Sequence, residues 1–148
     1  MSHDICLDAN VFLACLTPEA AQQDCLNLME RAEGRGMYFF EPALVLYEVA
    51  SSLHRKVQRQ EMTVKALEAA LDLFFQLPLL LQWQAPLMKK AASMARRLRL
   101  TTSYDCSYLA LAENRRIPLI TLDQDLQKKG RHLYPQVFGV VEFTRKFL

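Results

Sequence analysis

Ser103-Tyr-Asp-Cys-Ser-Tyr-Leu-Ala-Leu-Ala-Glu113 and, four residues on, Ile117-Pro-Leu-Ile-Thr-Leu-Asp-Gln-Asp-Leu126 decide how this chain folds. In the first block polar residues open a long apolar run, the sequence of a helix whose start is capped by Thr102 or Ser103. The second block is a three-residue apolar strand, 119–121, running into an acid and a short helix that ends near Gly130. Helix, then short apolar strand, then helix is the rhythm of a parallel sheet covered on both faces.

The same rhythm extends in both directions. Residues 5–7 read as a buried strand, followed by a helix from Ala9 that breaks near Pro18. A second helix starts at Pro18-Glu19 and runs to Gly34. Residues 37–40 form a strand, and Pro42 then occupies the first turn of a long helix reaching Gln60. Thr63 caps a helix over 64–76, residues 79–83 form a third strand, and Pro86 opens a helix to Arg99. Residues 137–141 make a last strand before a terminal helical turn. The fold class is α/β, with a short, mostly parallel central sheet.

Bulk properties narrow the function. A length of 148 residues fits one domain, 1–148, and a hydrophobic share of 51% supports a core without disulfides or structural metal. Only 4 Gly and 6 Pro argue against disorder. A net charge of +2 identifies no partner; the basic pairs, such as Lys89-Lys90 and Arg96-Arg97, read as ordinary solvated helix faces. Cys6, Cys15, Cys25 and Cys106 contain no Cys-x-x-Cys pair and read as reduced thiols. The opening Met-Ser-His-Asp lacks a signal-peptide pattern and the most apolar stretch is too short to span a bilayer, so a cytoplasmic location without membrane contact is expected.

Four acids stand at the edges of apolar segments: Asp8, Glu48, Asp105 and Asp123. Each Asp also has a structural explanation as a helix cap or capping-box acid. Glu48 does not, because it lies inside Leu-Val-Leu-Tyr-Glu-Val-Ala, where an ionised carboxylate is costly unless paired or metal-bound. Its conventional partner would be Arg55 or Lys56 on the same helix. Strand ends in an α/β sheet converge on one edge, and acids gathered there repel unless a cation neutralises them. A site of hard oxygen ligands for a divalent metal is the economical reading. Asn10 and Thr121, two residues from Asp8 and Asp123, are placed to orient a carboxylate or a bound water, or to make local turn bonds. Asp125 is a spare carboxylate beside them. Glu48, Ser52, Arg55 and Arg59 share a helix face, so Arg55 and Arg59 are candidate contacts for a phosphate backbone, or simply an exposed stripe.

These blocks, with Leu7-Asp-Ala-Asn-Val-Phe-Leu13 and Pro42-Ala-Leu-Val-Leu-Tyr-Glu-Val-Ala-Ser-Ser-Leu-His-Arg55, resemble the PIN-domain ribonucleases, especially the small VapC-type toxins of toxin–antitoxin pairs. The blocks occur in the family order over nearly the whole chain. The resemblance implies a PIN-like α/β/α sandwich and a metal-dependent endoribonuclease. Asp8, Glu48, Asp105 and Asp123 would then be the catalytic acids around Mg²⁺ or Mn²⁺, with Asp8 and Asp105 the leading ligands. It further implies RNA as substrate, a small antitoxin as partner and a homodimer; the helices from Pro42 to Gln76, with apolar side chains left over from core packing, are the expected docking surface. Asn10 stands where Ser or Thr is frequent in the family, and Ser51 where many members have Asn. Neither change removes an acid. The alternative is a PIN-fold module that binds nucleic acid or protein without turnover.

Other chemistries lack their residues. His3, His54 and His132 have no zinc-ligand spacing, with His3 expected in a frayed start, and no Gly-rich phosphate loop is present. A receiver domain for phosphoryl transfer would leave Glu48 without a role.

Overall fold

The computed structural model describes residues 4–148. His3 lies outside them. In chain order the elements are β1 (Cys6–Leu7), α1 (Ala9–Leu16), α2 (Gln22–Gly34), β2 (Phe39–Pro42), α3 (Leu44–Gln58), α4 (Val64–Phe75) and β3 (Leu79–Gln82). They continue with α5 (Ala85–Arg97), α6 (Tyr104–Arg115), β4 (Leu119–Thr121), α7 (Gln124–Gly130), β5 (Val137–Gly139) and α8 (Val140–Phe147). All strand pairs are parallel. β1, β4 and β5 form one ladder and β2 and β3 another, and a bridge between Ile5 and Phe39 joins the two in the order β3-β2-β1-β4-β5.

Strands β1 and β4 are buried on both faces, as their unbroken apolar runs require. Helix α6 lies over β1, β2 and β4 with α5 packed on it, and α1 packs against α2, α3 and α4. The result is the α/β/α sandwich. Residues 108–112 of α6 are all buried, because a helix enclosed between a sheet and another helix has no solvent face to leave polar. Phe12 of α1 meets Phe39 and Phe74 edge-on, at centroid distances of 6.1 and 5.2 Å, and so ties β2 and α4 to α1.

The expected cap at Thr63 holds and that at the start of α6 does not, since Ser103 stands at the N-cap of α6 without a side-chain cap bond. Thr63 caps α4 by accepting a bond from the Ala66 amide at 3.1 Å. Several boundaries differ, among them β2, which is Phe39–Pro42 rather than 37–40. Helix α2 starts at Gln22 rather than at Pro18-Glu19, because the Glu19 carbonyl accepts from Gln22 N in a preceding turn. Pro42 ends β2 instead of opening α3: it stands opposite Gln82, and the next amide, Ala43, still bonds the Gln82 carbonyl at 2.8 Å. Phe40 N points to β1, so by strand alternation the missing donor of Pro42 falls on that side, where no ladder bond is made. Finally, the last strand stops at Gly139, and the chain ends in an eight-residue helix rather than a turn.

Four helices close with the same 6→1 bond, seen in Met37 N to Ala32 O, Glu61 N to Lys56 O, Leu100 N to Ala95 O and Ile117 N to Ala112 O. The left-handed residue each requires is Gly36 after α2, but Gln60, Arg99 and Arg116 after the others. A side chain in that conformation costs about 1 kcal/mol. Arg99 is exposed, so Arg99→Gly is expected to raise stability by up to about 1 kcal/mol, read as a higher urea midpoint at unchanged m-value.

Candidate functional site

The sheet order reverses at β1: β2 and β3 lie on one side of it, β4 and β5 on the other. Ligands of open α/β sheets bind outside the carboxyl ends of the strands at such a point. Asp8 directly follows β1 there, and Asp123 stands two residues past the end of β4. Asp8 holds the N-cap position of α1, yet its side chain caps nothing. Its Oδ2 accepts from the Thr121 hydroxyl at 2.7 Å and from Asn10 Nδ2 at 3.2 Å. Thr121 Oγ1 also accepts from Asp123 N at 3.0 Å and Asn10 Nδ2 at 3.3 Å, which uses its one proton and both lone pairs. Asn10 Oδ1 accepts from Leu122 N at 3.1 Å. Asn10 and Thr121 thus lace the ends of β1 and β4 together and aim Asp8.

Asp123 does cap its helix: Oδ1 accepts from the amides of Asp125 and Leu126 at 2.9 and 3.1 Å. Asp105 sits in the first turn of α6, and among the described residues its carboxylate makes no side-chain hydrogen bond. Glu48 is not paired with either basic residue of its own helix. Tyr108 Oη donates to its Oε1 at 2.6 Å, whereas Lys56 pairs with Glu19 at 3.6 Å. Arg55 donates to the hydroxyls of Ser51 and Ser52 at 3.3 and 2.8 Å. Arg59 is exposed at the C-cap of α3. Asp125 is exposed and pairs with Lys129 at 2.9 Å.

Three of the acids are shifted by burial and by neighbouring charge. Burial pushes Asp8 up to about 7; the Thr121 hydroxyl opposes this, and the charges of Asp105 and Glu48 add to it. Burial also raises Glu48, against the Tyr108 hydrogen bond and with the charge of Asp105. Asp105 is raised by burial and by Asp123. The donors are hard oxygens that a divalent cation would neutralise, so their chemistry fits Mg²⁺ or Mn²⁺. They are not a finished cage: among the described residues no three His, Cys, Asp or Glu side chains already stand together as a metal-binding cluster.

Two residues that composition and spacing did not single out shape this edge. Tyr108 anchors Glu48 from the buried face of α6, three residues after Asp105 and so on the same side of that helix. Glu41 is fully buried; its Oε1 accepts from Leu7 N at 2.7 Å and its Oε2 lies 3.7 Å from Cys6 Sγ. Burial holds this carboxyl well above the usual range, with the Leu7 amide opposing and the charge of Asp8 adding. An acid inside Tyr-Phe-Phe-Glu-Pro-Ala was the available signal, the same one that marks Glu48.

The chain belongs to the PIN domain family, which matches residues 5–132. No curated protein sequence matches it. Its fold is similar to that of PAE2754 from Pyrobaculum aerophilum, with 19% identity, a TM-score of 0.63, and coverage of 95% of this chain and 91% of that one. It is also similar to VapBC2 from Rickettsia felis bound to a DNA fragment from their promoter, with 13% identity, a TM-score of 0.66, and coverage of 92% and 96%. A third similar structure is FitAB bound to an IR36 DNA fragment, with 16% identity, a TM-score of 0.60, and coverage of 93% and 96%. At these identities the likeness is one of fold.

The raised carboxyls give a signed pH dependence. Asp8 has a folded pKa of about 7, above its unfolded value of ~3.9, so the stability it allows is complete below the unfolded value and is lost as pH rises through the folded one. Glu41 acts in the same direction. The metal-free chain should therefore lose a few kcal/mol between pH 5 and 8. Asp8→Asn and Glu41→Gln keep an acceptor for Thr121 and Leu7 and should each flatten that decline. Urea midpoints across this range provide the check, and wild-type stability that rises toward pH 8 contradicts the assignment.

Proposed function

We propose that this chain is a divalent-metal-dependent endoribonuclease, with Asp8, Glu48, Asp105 and Asp123 as its catalytic and metal-holding acids. The observation that carries this reading is the placement of Asp8 and Asp123 past the carboxyl ends of β1 and β4, where the sheet order reverses, with Asp8 aimed by Thr121 and Asn10 rather than used as a helix cap. Membership of the PIN domain family supports it, and an intact acid set is hard to reconcile with binding phosphate alone.

Asp8 and Asp105 are the leading metal ligands. Asp8 is held rigidly by Thr121 and Asn10, while Asp105 is unencumbered by side-chain hydrogen bonds. Glu48 complements them from α3, fixed by Tyr108. Asp123 has one oxygen engaged in capping α7 and offers the other. A divalent cation bound there supplies activation of water and neutralises charge on the phosphodiester. The chain's own residues contribute orientation: ligand side chains held through hydrogen bonds reach productive geometry without reorganising. Arg55 of α3 and Arg59 at its C-cap would contact the phosphate backbone, outward from Glu48.

We propose further that the chain is the toxin of a toxin–antitoxin pair. VapBC2 and FitAB, which share its fold, are complexes. Val64 and Phe75, 60% and 59% exposed, lie on one face of α4, an apolar surface on which a small antitoxin would order as it binds. A basic side chain of that partner would compete for the acids. Exposed Trp83 and Met88 border an apolar groove of about 120 Å³ at the end of β3, which suits a homodimer contact. Among the described residues no helix is long and apolar enough to cross a membrane.

Purified chain is expected to cleave unstructured RNA with Mg²⁺ or Mn²⁺, and chelator should stop it. Asp105→Asn should fold normally and lose at least a hundredfold in rate, read by gel on a labelled transcript; near-wild-type turnover by that variant, or cleavage by pure chain in excess chelator, removes the mechanism. Expression in a bacterial host without a partner should arrest growth for the wild type and not for Asp105→Asn. Equal harmlessness at matched soluble levels withdraws the toxin reading while leaving the nuclease intact.

A further inference from the structure

Beside the acids, Tyr47, Ser51, Ser52 and Arg55 of α3 and Tyr104 of α6 enclose, with Glu48, a groove of about 360 Å³. The two tyrosines are 73% and 57% exposed, and they directly precede Glu48 and Asp105 in sequence. Among the described residues neither ring stacks on another aromatic and neither hydroxyl makes a hydrogen bond, so nothing in the fold uses them. Arg55 is different. Its guanidinium is steadied by two serine hydroxyls rather than neutralised by a carboxylate, which leaves a positioned positive charge in the groove. Glu48, the nearest acid on the helix, is turned to Tyr108 instead.

Along α3 the order is therefore aromatic ring, carboxylate, held guanidinium. Glu48 and Arg55 are seven residues apart, roughly 10 Å along the axis. That distance is a short step along a single nucleic-acid strand, so a phosphate on Arg55 and a phosphodiester at the acids can belong to the same segment. The rings add a surface that a phosphate does not need and a base does. A π-face takes any base whose own face is uncovered, and in a duplex both faces are covered by neighbours.

Resting on the nuclease reading above, we propose that Tyr47, Tyr104 and Arg55 form a nucleotide subsite that stacks an unpaired base beside the scissile phosphodiester and holds its neighbouring phosphate. This subsite makes the chain select single-stranded segments by the base itself, without reading its identity through hydrogen bonds. The tyrosines set substrate conformation, and Arg55 sets affinity.

The test separates base from backbone. Binding of a fluorescein-labelled oligoadenylate and of an abasic oligomer of equal length is measured by anisotropy with Mg²⁺, in an Asp105→Asn background. Tyr47→Leu and Tyr104→Leu should each weaken oligoadenylate binding about tenfold and leave the abasic oligomer unchanged. The Phe variants, which keep the ring, should bind as the parent does. Arg55→Gln should weaken both oligomers alike and lower the salt slope by about one. Leu variants that bind oligoadenylate like the parent, or that lose both oligomers equally, overturn the subsite. So does a Leu variant whose only change is in self-association by sedimentation, which would make the rings a protein contact. In the wild-type background the two readings part: cleavage with unaltered KM in the Leu variants defeats the subsite alone, whereas base-dependent binding without any cleavage defeats the nuclease alone.

Discussion

A carboxyl group standing where a strand carbonyl should be separates the two halves of the sheet. Strands β1 and β2 begin as neighbours, with Ile5 N bonded to Tyr38 O and Phe40 N to Ile5 O. The next rung would take Leu7 N to β2, but that amide is satisfied by Glu41 Oε1 instead. The two strands part there, at their carboxyl ends, and Asp8 is the next residue of β1's chain. Burying an acid is costly, and Glu41 offsets part of the cost by its bond to an otherwise orphaned amide. The opening at the acid-lined edge is thus made by an acid that does not itself face the groove.

The edge is also where the fold is least content. Asp8, Glu48 and Asp105 are all raised, first by burial and then by neighbouring charge: Asp105 and Glu48 on Asp8, Asp105 on Glu48, and Asp123 on Asp105. Nothing in packing requires an acid at any of these three positions. Strain of this kind marks sites kept for function, and here it is contained by neutral partners: Thr121 and Asn10 for Asp8, Tyr108 for Glu48. Asp123 alone repays its presence structurally, as the cap of α7.

Helix α6 connects core and edge. Its interior residues fill the space over β1, β2 and β4, and its first turn delivers Asp105 and Tyr104 to the surface beside α3. A shift of this helix would disturb both the acid set and the groove of tyrosines.

What the sequence determined alone is what neighbours along the chain decide. The alternation of short apolar strands with helices, the Thr63 and Asp123 caps, the interior character of α6 and the four suspect acids could all be read within windows of about ten residues. What only the tertiary structure decided involves residues far apart. Glu41 reaches Leu7 across 34 positions and Tyr108 reaches Glu48 across 60. Pro42 fits either a helix start or a strand end by its fixed φ and missing donor, and only the presence of β3 beside it selects the strand. Asp8 and Asp123 both precede helices and both read as caps, yet one caps and the other does not, because the Thr121 hydroxyl that claims Asp8 comes from another strand. Local rules state which bonds a residue is able to make. Which of them it makes is settled by the partners that chain crossing brings within reach.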